Sequence, residues 1–89
     1  MSAMLKIDVA DQVGEQGVTV RLEGRVVGPW VQELQRACEP YLGNGQPLTL
    51  DFGGVSFIGR EGVAVCRSLR QRHARFTNCS PFIKEQLNA

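Results

Sequence analysis

The sequence predicts an α/β domain in which a mixed sheet of about four strands packs against about three helices, in the order β-β-α-β-α-β-α. Apolar residues alternate in the short segments that we interpret as strands, and they recur at helical spacing in the segments between them. The 89 residues fit a single domain spanning residues 1–89, which is large enough to bury a core without metals or disulfides. Their hydrophobic content of 43% is ordinary for a globular protein.

The first two strands are predicted to form a hairpin. Leu5, Ile7 and Val9 alternate with polar residues, and the same pattern returns from Val18 to Leu22 after a turn-like segment at residues 11–17. Residues 24–28 are predicted to be a connector that leads to the first helix, with Pro29 as its first residue.

The first helix has an apolar stripe, and a proline is predicted to end or kink it. The stripe consists of Trp30, Val31, Leu34, Ala37, Cys38 and Tyr41. Pro40 removes a backbone hydrogen bond near the end of this segment. We interpret Trp30 as a core residue, with an exposed anchor for a partner protein as the alternative.

The most informative segment spans residues 48–62, where a strand leads into the second helix. The strand alternates from Leu48 to Phe52, glycines at 53 and 54 are predicted to break it, and residues 55–58 are predicted to return to the core. Residues 59–62, Gly-Arg-Glu-Gly, then begin the helix. A helix start carries free N–H groups and a partial positive charge, so an anion or phosphate would act most strongly here.

The rest of the chain supplies the remaining elements. Gly62, Val65, Cys66 and Leu69 are predicted to face inward from the second helix, and residues 74–77 form a short strand. Ser80 is predicted to be the N-cap of the third helix, with Pro81 at its first position. The apolar stripe of this helix is predicted to contain Phe82, Ile83 and Leu87.

Composition argues against several function classes. A net charge of +1 gives no reason to expect nucleic acid, and we interpret the basic run from Arg67 to Arg75 as an exposed surface. Because neither a signal peptide nor an apolar run long enough for a membrane span is seen, we expect a cytoplasmic protein without membrane insertion.

Neither a metal site, a cofactor nor an enzymatic activity is expected. The three cysteines are widely spaced within apolar patterns, which is typical of buried free thiols. Cys38, Cys66, Cys79 and His73 have the right side chains for a metal but lack a C-x-x-C pair. His73 is predicted to lie at a surface turn, and residues 53–62 do not form a phosphate-binding loop.

The segment at residues 48–62 resembles the signature of STAS domains, the family of anti-sigma-factor antagonists and of the cytoplasmic tails of sulfate transporters. Leu48–Asp51 matches the strand of that signature, residues 55–58 match the bend and apolar pair, and Gly62 matches its glycine. Gly59 stands where the family has Asp, and Glu61 stands where it has a phosphorylatable Ser or Thr. The resemblance implies a STAS fold and non-catalytic protein binding, without phosphorylation at the usual position.

Two kinds of protein partner are compatible with this resemblance: an anti-sigma factor or related serine kinase, and the ATPase of a lipid-exporting ABC transporter. A small-ligand or nucleotide binder is a less favoured third hypothesis, and a homodimer stays open. Glu61 is either a helix-start carboxylate or a permanent substitute for phosphate charge. The predicted partner-binding residues are Arg25, Gly28, Trp30, Gly59, Arg60, Glu61 and Gly62.

Overall fold

The computed structural model describes residues 5–11 and 17–88, and the predicted order of elements is confirmed. The elements are β1 (Leu5–Asp11), β2 (Val18–Val26), α1 (Trp30–Gly43), β3 (Leu48–Ile58), α2 (Arg60–Gln71), β4 (Arg75–Thr77) and α3 (Pro81–Asn88). Most of the predicted turn at residues 11–17, and the N-terminal residues used to argue against a signal peptide, lie outside the described residues.

The four strands form one mixed sheet in the order β1-β2-β3-β4. Strand β1 pairs antiparallel with β2, whereas β3 runs parallel to both β2 and β4. Two successive right-handed crossovers through α1 and α2 place both helices on the same face of such a sheet. The alternation in β2 agrees, since Val20 and Leu22 are fully buried while Arg21 and Glu23 are exposed. The sheet therefore has one covered face and one open face.

The core lies between the covered face and the three helices. Its fully buried large side chains come from β2, β3 and every helix: Phe52, Leu22, Leu34, Leu48, Leu50, Ile58, Leu69, Ile83 and Leu87. In α2, Gly62, Cys66 and Leu69 are buried, as the helical spacing predicted. Val65, predicted to face inward with them, is only half-buried.

Strand β3 is not broken at its glycines, contrary to the prediction. It continues to Ile58 and absorbs its extra residues as bulges against β2. Arg21 pairs with Asp51 but Glu23 with Gly54, and a second shift follows before Arg25. A Cβ on Gly54 would lie 2.7 Å from Cγ of Glu23, so glycine permits the close approach of the bulged strand.

The boundaries around α1 also differ from the prediction. Strand β2 continues to Val26, so the predicted connector at residues 24–28 is mostly strand. Pro29 is the N-cap of α1 rather than its first residue, and the helix continues past Pro40 to Gly43. Pro40 is exposed in the last turn, where it removes one hydrogen bond without disturbing the core, so the helix tolerates it.

Phe57 was predicted to return to the core with Val55 and Ile58, and Phe82 was predicted to belong to the apolar stripe of α3 with Ile83 and Leu87. Neither ring is buried with its group. Phe82 is 53% exposed, Phe57 is half-buried, and their stacked ring centroids lie 6.4 Å apart. The second bulge places Phe57 opposite Arg25 on the open face, while Ile58 stays opposite Val26 on the covered face. The Arg25 guanidinium lies 5.3 Å from the Phe57 ring centroid, a cation–π distance.

The cysteines follow the prediction in part. All three are free; Cys38 and Cys66 are buried, whereas Cys79, in the connection from β4 to α3, is half-buried. Burial raises the pKa of the Cys38 thiol to about 12, with a smaller effect of Glu39, and burial likewise raises the pKa of Cys66 to about 12. His73 is exposed at a turn with φ 76°, as predicted.

Within residues 5–11 and 17–88, no helix is both long and apolar enough to cross a membrane. In the same ranges, the structure does not bring three His, Cys, Asp or Glu side chains together as metal ligands.

Candidate functional site

Two strand-to-helix junctions meet at the carboxyl ends of the parallel strands β2 and β3. In the first junction, the N–H of Trp30 donates to the Val27 carbonyl at 3.2 Å, and the N–H of Val31 donates to the Gly28 carbonyl at 3.2 Å. Gly28 has φ 58°, a left-handed conformation that residues with a Cβ rarely adopt. The sequence Val-Gly-Pro therefore forms a defined turn that begins α1.

The second junction is hydrogen-bonded directly to the first. The N–H of Gly59 donates to the Val26 carbonyl at 2.9 Å, and the Gly59 carbonyl accepts from Val63 at 2.8 Å. Gly59 is the N-cap of α2, with the extended dihedrals φ −74° and ψ 172°. Since Gly59 has no side chain, it cannot cap the free N–H groups of the first turn.

Gly62 allows α2 to begin in close contact with the sheet. A Cβ on Gly62 would lie 2.7 Å from the Val26 carbonyl oxygen and 2.8 Å from Cγ2 of Ile58, and both contacts are too short. At Gly59 the corresponding atom would lie 3.2 Å from a methyl group of Val27, a tight contact that a side chain can relieve. The two glycines of residues 59–62 thus differ: Gly62 is required by packing, whereas Gly59 is only crowded.

The two junctions enclose an open depression of about 250 Å³, which we call the junction surface. Its lining residues are Val27, Gly28, Val31, Gly59, Arg60, Glu61 and Gly62. The structure therefore brings together every predicted partner-binding residue except Arg25 and Trp30. The junction surface contains apolar groups, exposed backbone and one charge of each sign, but its described lining offers no hydroxyl, thiol or imidazole for catalysis.

Arg25 and Trp30 occupy different places. Arg25 lies on the open face of the sheet, where it covers Phe57 beside the exposed ring of Phe82. Trp30 is half-buried and packs against the core from the first turn of α1, which agrees with its interpretation as a core residue more than as an exposed anchor.

The electrostatics of the junction surface come from its helix start. Arg60 and Glu61 are both exposed, and neither forms an ion pair within the described residues. The Glu61 carboxylate lies in the first turn of α2, where the partial positive charge of the helix favours an anion by about 0.3–1 kcal/mol. The geometry is compatible with either role proposed for Glu61.

Gln86 is a structural residue of this region that the sequence did not reveal. Its side-chain amide donates to the Ile58 carbonyl at 2.7 Å, and its carbonyl oxygen accepts from the Ile58 N–H at 2.9 Å. Because β4 pairs only with residues 49–51, the end of β3 lacks a strand on that side, and Gln86 supplies the missing backbone contacts. A single glutamine on a short helix carries no sequence signal for such a role.

Asp51 also has a role that the sequence did not reveal. Its Oδ1 atom accepts from the Gly53 N–H at 2.9 Å and from the Asn78 side chain at 3.0 Å. Its other oxygen lies 3.6 Å from Nε of Arg21. The Gly53 hydrogen bond, followed by those from Asn78 and the charge of Arg21, lowers the pKa of Asp51. Asp51 thus joins the bulge of β3 to the segment that leads into α3.

Comparison with known proteins supports the fold through structure rather than sequence. No protein-family model matches the chain. No curated protein matches it by sequence either. Among solved structures, it is similar to the anti-sigma factor antagonist SpoIIAA in its unphosphorylated form, with a TM-score of 0.74 and 16% identity over 93% of this chain and 82% of SpoIIAA.

A second solved structure gives the same result. The STAS domain of an antisigma-factor antagonist from Rhodobacter sphaeroides has a TM-score of 0.69 and 11% identity, over 85% of this chain and 88% of that domain. At such low identity, the agreement concerns the path of the backbone and the arrangement of its elements. The chain therefore has the fold of a STAS domain, as its sequence predicted.

Proposed function

We propose that this domain is a non-catalytic protein-interaction module of the anti-sigma-factor antagonist type, which binds a protein partner through the junction surface. The observation that carries the proposal is the convergence of two exposed junctions, one from each parallel strand, on one depression. Loops at the carboxyl ends of parallel strands are a common place for binding residues, because the sheet holds them in fixed positions.

The chemistry of the junction surface supports binding rather than catalysis. Its side chains are two valines, one arginine and one glutamate, and Gly28 exposes backbone to a partner. The rings of Phe57 and Phe82, with Arg25 above Phe57, extend this end of the sheet with an aromatic and basic patch. Aromatic residues and arginine are the residue types that contribute most to protein interfaces.

Glu61 gives the proposal its regulatory part. In the family that the sequence resembles, a phosphate at this position weakens binding to the partner kinase. A glutamate supplies about one negative charge, compared with about 1.5–2 for a phosphate. Unlike a phosphate, the glutamate side chain cannot be removed by a phosphatase. We propose that Glu61 holds the domain permanently in the state of lower affinity for a kinase-type partner.

The partner class is tested by direct binding. Purified anti-sigma factor or kinase, and separately transporter ATPase, encoded by neighbouring genes would be titrated with the domain by calorimetry. Arg60→Glu should weaken binding about tenfold or more, since it places two like charges in the junction surface. Lys84→Glu makes the same charge change on α3 and should leave the dissociation constant unchanged. Equal effects of the two variants would show that binding occurs elsewhere.

The role of Glu61 needs its own pair of variants. Glu61→Gln keeps the size of the side chain and removes its charge, while Glu61→Ser restores the hydroxyl of the family motif. If Glu61 substitutes for phosphate charge, both variants should bind a kinase-type partner more tightly than the wild type. Glu85→Gln removes a comparable exposed charge from α3 and is the control. Unchanged affinity in both Glu61 variants would leave Glu61 as a helix-start residue.

The proposal also predicts where phosphorylation does not occur. Residues 59–62 contain no hydroxyl, so incubation with a partner kinase and ATP should leave this segment unmodified. Ser56 and Ser68 are exposed and are the nearest alternatives in β3 and α2. Intact-mass measurement followed by peptide mapping distinguishes these cases, and a stoichiometric phosphate on Ser56 or Ser68 would relocate the regulatory site. We expect the domain to act in the cytoplasm, without nucleic acid.

A further inference from the structure

The outer edge of β1 is the long unpaired strand edge of the described sheet. Strand β1 has seven residues and pairs with β2 on one side only, whereas the opposite edge strand, β4, has three. An unpaired edge presents backbone N–H and C=O groups that a further strand can bind. The residues of β1 therefore indicate which strand that edge would accept.

The two faces of β1 differ in chemistry. Leu5, Ile7 and Val9 lie opposite Gly24, Leu22 and Val20 of β2, so they belong to the covered face of the sheet. Their burial decreases along the strand: Leu5 is buried, Ile7 is half-buried and Val9 is 41% exposed. The helices therefore leave the apolar face of β1 incompletely covered.

Two of the three charged residues of β1, Lys6 and Asp8, lie on the open face. Lys6 and Asp8 are both exposed, and neither forms an ion pair with any part of the chain that the structure describes. They stand on either side of Ile7, at the centre of a segment that reads Leu-Lys-Ile-Asp-Val. Around Ile7 this segment is symmetric in polarity, with an apolar residue two positions away and a charged residue one position away on each side, and its two charges are opposite.

We propose that β1 pairs antiparallel with β1 of a second copy of the chain, around a two-fold axis at Ile7. In this register, Lys6 of each copy faces Asp8 of the other, and the two Ile7 side chains face each other. Leu5 of each copy lies opposite Val9 of the other, which adds apolar contacts where the helices leave the strand exposed. The result is a sheet that continues from one copy into the other.

The charges exclude the neighbouring symmetric registers. An axis at Asp8 would place two carboxylates opposite each other, and an axis at Lys6 would do the same with two ammonium groups. An axis between two residues is excluded because it would place apolar side chains on the same face as charged ones. An axis at Ile7 thus pairs opposite charges on the open face and apolar side chains on the covered face.

A second copy fits this edge better than an unrelated strand, because the complementarity is internal to the segment. A two-fold interface repeats each contact, so it contains two Lys–Asp pairs, one in each direction between the copies. Pairing along one short strand buries less surface than the roughly 1,200–2,000 Å² of stable complexes, so the dimer should be weak and dependent on concentration. The interface uses residues other than those of the junction surface.

Sedimentation equilibrium of the full chain over a wide concentration range tests the proposal. The wild type should change reversibly from monomer to dimer. Lys6→Asp and Asp8→Lys should each weaken the dimer about tenfold or more, since both symmetric pairs become like-charged. The double variant carrying both substitutions should recover dimerisation, because it exchanges the charges without removing their complementarity.

Mixing the two single variants provides the decisive measurement. The chain with Lys6→Asp has carboxylates at both positions 6 and 8, and the chain with Asp8→Lys has ammonium groups at both. An equimolar mixture should therefore form heterodimers, whereas each variant alone should dimerise only weakly. Lys84→Asp, on α3, controls for the change in net charge, and melting temperatures verify folding. A wild type that stays monomeric, a dimer insensitive to both substitutions, or a mixture without heterodimers would each overturn the proposal.

Discussion

Helices α2 and α3 both pack beside β3, but their N-termini are built differently. Helix α3 has a side-chain N-cap: the Ser80 hydroxyl accepts a hydrogen bond from the Ile83 N–H at 3.2 Å, and Pro81 occupies the first position. Helix α2 begins at Gly59, which has no side chain to accept such a bond. The free N–H groups of α2 therefore remain available at the junction surface.

The segments leading to the two helices differ as well. Asn78, with φ 60°, is held by Asp51 shortly before α3 begins. Helix α2 instead follows β3 directly and is positioned by the close packing of Gly62 on Val26. The comparison shows two ways to fix a helix start. A side-chain cap satisfies an N–H group of the first turn, as in α3. Close packing positions α2 without such a cap and leaves its N–H groups free to bind a partner.

The largest expected effect tests the packing of α2. Gly62→Ala should lower the free energy of unfolding by about 1–3 kcal/mol, because the new methyl group overlaps the Val26 carbonyl oxygen and Ile58. At an uncrowded helix position the same change would instead stabilise by about 1 kcal/mol, so its sign is informative. Gly59→Ala is the matched control and should have a smaller effect in urea denaturation. Equal losses would mean that Gly62 has no special packing role.

The next effect tests the cap of α3. Ser80→Ala should cost about 1 kcal/mol, because the Ile83 N–H loses its acceptor. The control is Ser68→Ala, which removes an exposed hydroxyl from within α2 and should not destabilise the domain. Urea denaturation of the two variants side by side measures the difference. If Ser80→Ala had no effect, the contrast between the two helix starts would disappear.

Acid should loosen the segment that leads to α3. Hydrogen bonds from Gly53 and Asn78 lower the pKa of Asp51, so its contribution to stability is present above the ordinary aspartate pKa of about 3.9 and is lost as pH falls through the lowered value. Glu39, whose pKa the Arg72 hydrogen bonds lower, responds in the same direction.

The variant Asp51→Asn separates the two carboxylates. Between about pH 5 and pH 2, its unfolding free energy should fall less than that of the wild type, since the remaining acid-dependent loss comes from Glu39 and other groups. Denaturation at several pH values makes the comparison. Parallel pH profiles would show that Asp51 does not stabilise this segment through its charge.

The smallest expected effect is a gain at the open end of α2. The dihedrals of Gly59 are those of a normal N-cap, so Gly59→Ser should accept a hydrogen bond from the first turn and stabilise by a few tenths of a kcal/mol. The contact with Val27 reduces this gain. Thermal unfolding can resolve it, with Gly59→Ala as the variant that adds a Cβ without a cap. A serine no better than alanine would mean that these N–H groups are not free.

Local pattern was sufficient to predict the element order, the core of β2 and both helix starts beside β3. Alternation and helical spacing depend on neighbours within a few residues, and Ser-Pro before an apolar stripe indicates a helix start wherever it occurs. Residues 59–62 were correctly placed at the start of α2. The resemblance to STAS domains depended on the same segment, and the fold agrees with it.

Only the tertiary structure decided the details that depend on a neighbouring strand. The bulges of β3 are defined by pairing with β2, and they moved Phe57 from its predicted core position to the open face. Gln86 and Asp51 bind backbone or side chains that are distant along the chain, so no local pattern could indicate their roles. Local periodicity encodes which face of an element is apolar, whereas register, bulges and long-range hydrogen bonds arise when separate elements meet.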